Sequence, residues 1–96
     1  MRRFCIISYD VVDSKRRTKL YKLLQNWGDR IQYSVLCCQL NPRERLQLTN
    51  AMKEILHATE DQAFLVDAGR VEGENPMPQL TYLGRIWKPD ARTQVV

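Results

Sequence analysis

The sequence is short of the side chains from which compact catalytic centres are usually built. Histidine occurs once, as His57, and cysteine three times. The lone histidine lies far along the chain from the motifs described below, so it supplies no imidazole base beside them. Cys5, Cys37 and Cys38 are odd in number and form no CxxC pair. That argues against a disulfide framework and against a zinc site. All three are expected as reduced, buried, small apolar side chains. Long apolar runs are missing as well, and nothing approaches the roughly 20 residues that a membrane-crossing helix requires. The opening Met1-Arg2-Arg3-Phe4 is basic but leads into no signal-peptide core or cleavage site. A cytoplasmic chain with no membrane partner is the expectation. Internal repeats and low-complexity segments are absent.

What is present fits one domain of 96 residues. So short a chain buries only about 60–65% of the surface exposed by its unfolded form, and burial against a partner would help it. Its charge is uneven. Residues 1–45 carry ten Lys/Arg against four Asp/Glu, whereas residues 46–96 carry five against seven. A basic front half points to a polyanion, nucleic acid first. The plainer alternative is a solvated basic helix face.

Residues 2–10 (RRFCIISYD) are rich in β-branched and aromatic side chains and read as a strand. Asp13 or Ser14 can cap the helix that follows. There Leu20, Leu23, Leu24 and Trp27 fall on one stripe, and Gly28 is expected to end it in a left-handed conformation. Residues 30–40 are strand-like throughout. The polar triplet Gln32-Tyr33-Ser34 predicts a bend or tight turn that divides them into two strands. Pro42 suits the first turn of a second helix, with Leu48, Met52, Ile55 and Leu56 as its stripe. His57, near that helix's C-terminus, is expected to favour the dipole when protonated. Residues 62–68 form another strand, and 69–80 a loop. Residues 81–87 (TYLGRIW) predict a fifth strand, with a frayed tail behind it.

The order strand, helix, strand, strand, helix, strand is the α+β, ferredoxin-like βαββαβ arrangement, here with an additional C-terminal strand. Residues 1–80 make the ferredoxin-like domain, and 81–96 a strand and tail for a dimer or partner contact. The fold leaves one sheet face under two helices and the other bare, and dimerisation is the expected cover for a bare face.

Two separated stretches, "SYDVVDSKRRTKL" and "WGDRIQYSVL", resemble the CRISPR-associated endoribonuclease family, the small second core protein of CRISPR adaptation systems. The matching residues are Tyr9, Asp10, Asp13, Arg16, Arg17, Lys19, Leu20, Gly28, Arg30, Gln32, Tyr33, Ser34 and Val35. The pair Leu83-Gly84 in the late strand also matches. Ser14 stands where the family often has a second acid, and Leu36 where it usually has phenylalanine.

The resemblance implies a metal-dependent phosphodiesterase in which Asp10 binds Mg²⁺ and is catalytic. One carboxylate is a poor magnesium site, because the ion takes six oxygens in near-octahedral geometry. A homodimer with its two-fold axis close to Asp10 would supply a second. Arg16, Arg17, Lys19 and Arg30 suit contacts to the phosphates of RNA or double-stranded DNA. Tyr9 is a candidate to orient a phosphate or stack on a base, against a plain half-buried strand tyrosine. Gln32, Tyr33 and Ser34 are expected to shape the strand bend and a dimer contact, and Asp13 to cap its helix. Family members are associated both with nuclease activity and with a non-catalytic role holding duplex DNA for the CRISPR integrase subunit. A toxin-type ribonuclease of the same fold is a third reading. A ferredoxin-like small-molecule regulatory domain is a fourth, and the basic first helix speaks against it.

Overall fold

In the computed structural model, residues 1–74 and 77–85 are described. The elements are β1 (Arg3–Asp10), α1 (Ser14–Leu24), β2 (Gly28–Gln32), β3 (Val35–Leu40), α2 (Pro42–Ile55) and β4 (Gln62–Arg70). The strands form one antiparallel sheet in the order β2-β3-β1-β4. This is the ferredoxin-like layout expected from the element order.

The central strand shows why. Cys5, Ile7 and Tyr9 point to one face of β1 and Phe4 and Ile6 to the other, as period-two alternation dictates. Cys5, Ile7 and Tyr9 join Leu36, Cys38 and Leu40 of β3 beneath Leu20 and Leu24 of α1 and Leu48 and Met52 of α2. All three cysteines are buried and free. Burial raises every one of these thiols, Cys37 to about 11 and Cys38 to about 12.

Local signals set the helix starts. Asp13 caps α1, its Oδ2 accepting from the Arg16 amide at 3.0 Å. At α2, Asn41 and Glu44 exchange side-chain-to-backbone bonds of 2.8 and 2.9 Å ahead of Pro42 in the first turn.

Three expectations need correction. Gly28 does not end α1, which closes at Leu24 with Gln25 as its cap. It opens β2 and is opposite Cys38. There a β-carbon would fall on the Cys37 carbonyl oxygen and 2.7 Å from Cys38 Sγ. Glycine is needed for close approach of two strands, not for a left-handed turn. His57 lies just past α2, and its Nδ1 accepts from the amides of Thr59 and Glu60 at 3.3 and 3.2 Å.

The second sheet face is not bare either. Val71, Met77 and Leu80, from the stretch read as loop, pack over Phe4, Ile31 and Cys37. Among the described residues, the half of that face towards the end of β1 is left open, with Phe64 and Val66 about half exposed. Finally, residues 81–85 take no strand conformation. The remainder of the expected fifth strand and the tail lie outside the described residues.

Candidate nucleic-acid and metal site

The C-terminal end of β1, the first turn of α1 and the β2–β3 turn gather at one end of the sheet. Asp10 is the last residue of β1 and is exposed. It is opposite Gln62 of β4. Because Tyr9 points into the helix-covered core, alternation places Asp10 on the open face, with Ser8 and Ile6. On β4 the partners of Ser8 and Ile6 are Phe64 and Val66, which continue that face.

The backbone leaving Asp10 is tightly held. The Val12 amide donates to Asp61 Oδ1 at 3.0 Å, and the Val11 carbonyl accepts from Arg17 Nη1 at 3.0 Å. Asp13 is already committed to its cap.

The basic residues divide by environment. Arg16 is two-pronged on Asp61, through Nε at 2.8 Å and Nη2 at 3.2 Å, and it also reaches Glu60 at 3.1 Å. The bond to Asp61 raises the Arg16 guanidinium. In turn Arg16 holds the Asp61 carboxyl well below the usual carboxylate range, against the opposing effect of burial. Arg16 is therefore internally neutralised. Arg17 is half-buried, tied to Val11, with its Nε buried and unpartnered. Lys19 is exposed on α1 with Lys15 and Lys22, a helix without a single acid. None of the three lysines enters an ion pair among the described residues.

Arg30 stands apart, its guanidinium 3.9 Å from the centroid of the Tyr21 ring and 5.3 Å from that of Tyr33. Burial raises the Tyr9 hydroxyl, and a hydrogen bond with Arg30 partly opposes it. Tyr9 is only 4% exposed and its side chain lies in the helix-covered core, which leaves no ring face for stacking on a base. The Tyr9 amide donates to the Ser34 carbonyl at 3.1 Å, joining the β2–β3 turn to the strand that carries Asp10. Gln32, Tyr33 and Ser34 form one wall of an open groove of about 690 Å³, facing Thr81, Tyr82 and Leu83.

No group of three or more His, Cys, Asp or Glu stands close enough to hold an ion among the described residues. Asp10 contributes one carboxylate, and a magnesium ion needs further oxygens from a second copy, from waters or from substrate.

Sequence reasoning missed Asp61 and Tyr21. Asp61 sits in a polar junction where nothing in the spacing marks it. Tyr21 lies one turn beyond Arg17 on a helix whose apolar stripe excludes it.

A family model described as CRISPR associated protein Cas2 matches residues 1–72. The chain belongs to the Cas2 family. That match spans every strand and helix from β1 to β4. Among Cas2 relatives, CRISPR-associated endoribonuclease Cas2 3 of Chloroflexus aurantiacus is 43% identical over 61 residues, 64% of this chain and 66% of that protein. CRISPR-associated endoribonuclease Cas2 of Geobacter sulfurreducens is 29% identical over 96 residues, 100% of this chain and 99% of that one. The crystal structure of a hypothetical protein TT1823 from Thermus thermophilus superposes with a TM-score of 0.75 at 30% identity. It covers 94% of this chain and 100% of its own.

Proposed function

We propose that this Cas2-family chain acts in the cytoplasm as a homodimer in CRISPR adaptation. In this reading it binds RNA or double-stranded DNA and cleaves phosphodiester bonds at a Mg²⁺ site built from two Asp10 carboxylates. The observation that carries the reading is the position of Asp10: exposed, at the end of a rigid central strand, on the sheet face whose neighbouring apolar side chains are uncovered. Two copies packed through Phe64 and Val66 would bury that surface and bring the two acids to the seam. The ion, when bound, would polarise a phosphoryl oxygen and activate water. Lys15, Lys19 and Lys22 supply the outer phosphate contacts, and Arg17 and Arg30 the inner ones. Residues 81–96 provide a dimer or partner contact.

A second reading has one observation in its favour. Among the described residues no group of three or more potential metal ligands gathers, and Arg16 is spent on Asp61. A scaffold that holds duplex DNA for the CRISPR integrase subunit needs the basic surface but not the metal. A magnesium titration of cleavage by wild type and Asp10→Ala, alongside spacer acquisition in cells, separates the two. Loss of cleavage with acquisition intact assigns scaffolding as the essential role. Cleavage by Asp10→Ala at the wild-type rate would refute the metal site.

A further inference from the structure

We propose that Asp61 is the positioning residue of the Asp10 site, fixing through its carboxylate both the loop that leaves Asp10 and the strand that lies beside it. The residues around it, from His57 to Glu60, are exposed, yet the Asp61 side chain is 0% exposed. Its two oxygens take four donors. Oδ1 accepts from the Val12 amide at 3.0 Å and from Arg16 Nη2 at 3.2 Å. Oδ2 accepts from Arg16 Nε at 2.8 Å and from the His57 amide at 2.8 Å. That fills the roughly four lone-pair sites a carboxylate possesses.

The donors come from three places. Val12 is two residues beyond Asp10. Arg16 lies in the first turn of α1. His57 lies between α2 and β4. Asp61 also returns its own amide to the His57 carbonyl at 3.1 Å, and the next residue, Gln62, is the antiparallel partner of Asp10. One carboxylate thus ties the chain downstream of Asp10, the helix start and the neighbouring strand into a single unit. Arg16, matched to the family motif, belongs to this unit as the clamp's cation instead of facing phosphate.

Only an ionised carboxylate satisfies the arrangement. Asparagine would turn an NH₂ group towards two donors, and a glutamate would overreach two backbone amides at fixed positions. The functional consequence rests on reading Asp10 as the metal-binding carboxylate; the positional claim rests on the hydrogen bonds alone.

The test uses the full ¹⁵N-labelled chain as wild type, Asp61→Asn and Arg16→Lys, the last keeping the charge but losing the two-pronged grip. Two quantities are read: amide hydrogen exchange at Val12, and the Mn²⁺ concentration that half-broadens the Asp10 and Val11 amide resonances. Asp61→Asn should speed Val12 exchange roughly tenfold, the equivalent of one ordinary hydrogen bond, while Ile7 exchanges as before. It should also raise the half-broadening Mn²⁺ concentration several-fold. Arg16→Lys should fall between, and decides the matter if Asp61→Asn does not fold. Wild-type exchange and wild-type Mn²⁺ response in a folded variant would overturn the proposal. If wild type itself shows no Mn²⁺ broadening at Asp10, the metal reading fails, and Val12 exchange alone decides on Asp61.

Discussion

Replacing Gly28 by alanine puts a methyl group where two strands already touch. Its β-carbon would lie against the Cys37 carbonyl oxygen, 2.7 Å from Cys38 Sγ and 2.9 Å from the Cys37 carbonyl carbon. Two of those atoms are backbone in the middle of β3, and the third belongs to a side chain that is 1% exposed. None can swing away, so β2 has to move off β3. Forced overpacking of this kind costs about 1–3 kcal/mol, and the rigid surroundings favour the upper half of that range. For a domain of this size each kcal/mol shifts Tm by about 4–8 °C, so a fall of roughly 8–16 °C follows from a cost of about 2 kcal/mol. The movement would also carry Arg30 away from the Tyr21 ring. Thermal melts of Gly28→Ala and Gly28→Asn make the test discriminating. A helix-ending glycine in a left-handed conformation would accept asparagine almost as well, whereas a glycine required for close approach makes asparagine the worse of the two. A Gly28→Asn variant that melts like wild type would refute the reasoning.

Other outcomes follow from the ion pairs and the lysine stripe. The Asp61 carboxyl titrates below its ordinary value near 4 chiefly because of Arg16, so its stabilising contribution is complete above that value and is lost as the pH falls below it. Asp67, lowered by Arg3, adds the same sign. The urea midpoint should therefore drop between about pH 5 and about pH 3, and Asp61→Asn should flatten that drop; an unchanged slope would contradict the assignment. Changing Lys15, Lys19 and Lys22 to glutamine should weaken duplex binding and reduce its salt dependence, by about 0.9 in the log–log slope for each phosphate left without its lysine. Tm should stay constant, since these side chains are exposed and enter no ion pair among the described residues. Arg16→Gln should do the reverse, lowering Tm with little change in the salt slope.

The fold was legible because its signals are local and periodic. The alternation in RFCIISYD, the stripe from Leu20 to Trp27 and the polar break at Gln32–Ser34 each specify an element, and the order of elements specifies the sheet. Gly28 misled because glycine serves two purposes, and only the position of β3 tells them apart. The open face was misjudged for a similar reason. Val71, Met77 and Leu80 have no periodicity among the glycines and prolines around them, so nothing in the sequence declares that they fold back on the sheet. At the site, the motif singled out Asp10 and the basic set by sequence position alone. It could not show that Arg16 is consumed by an acid 45 positions away, or that Tyr9 faces the core. Those facts depend on the packing of β1, α1 and the α2–β4 junction, which exists only once the chain is folded.

The most direct measurement concerns the meeting of two Asp10 residues across the open face. The native thiols are buried and held away from the reactive thiolate form, Cys37 at about 11 and Cys38 at about 12. An Asp10→Cys variant therefore places one reactive sulfur per chain at the proposed seam. A short bismaleimide should join two such chains rapidly and in high yield, while Val12→Cys, exposed two residues on, should join them poorly. A molecule that stays monomeric, or one that dimerises but cross-links no better through position 10 than through position 12, would contradict the shared metal site.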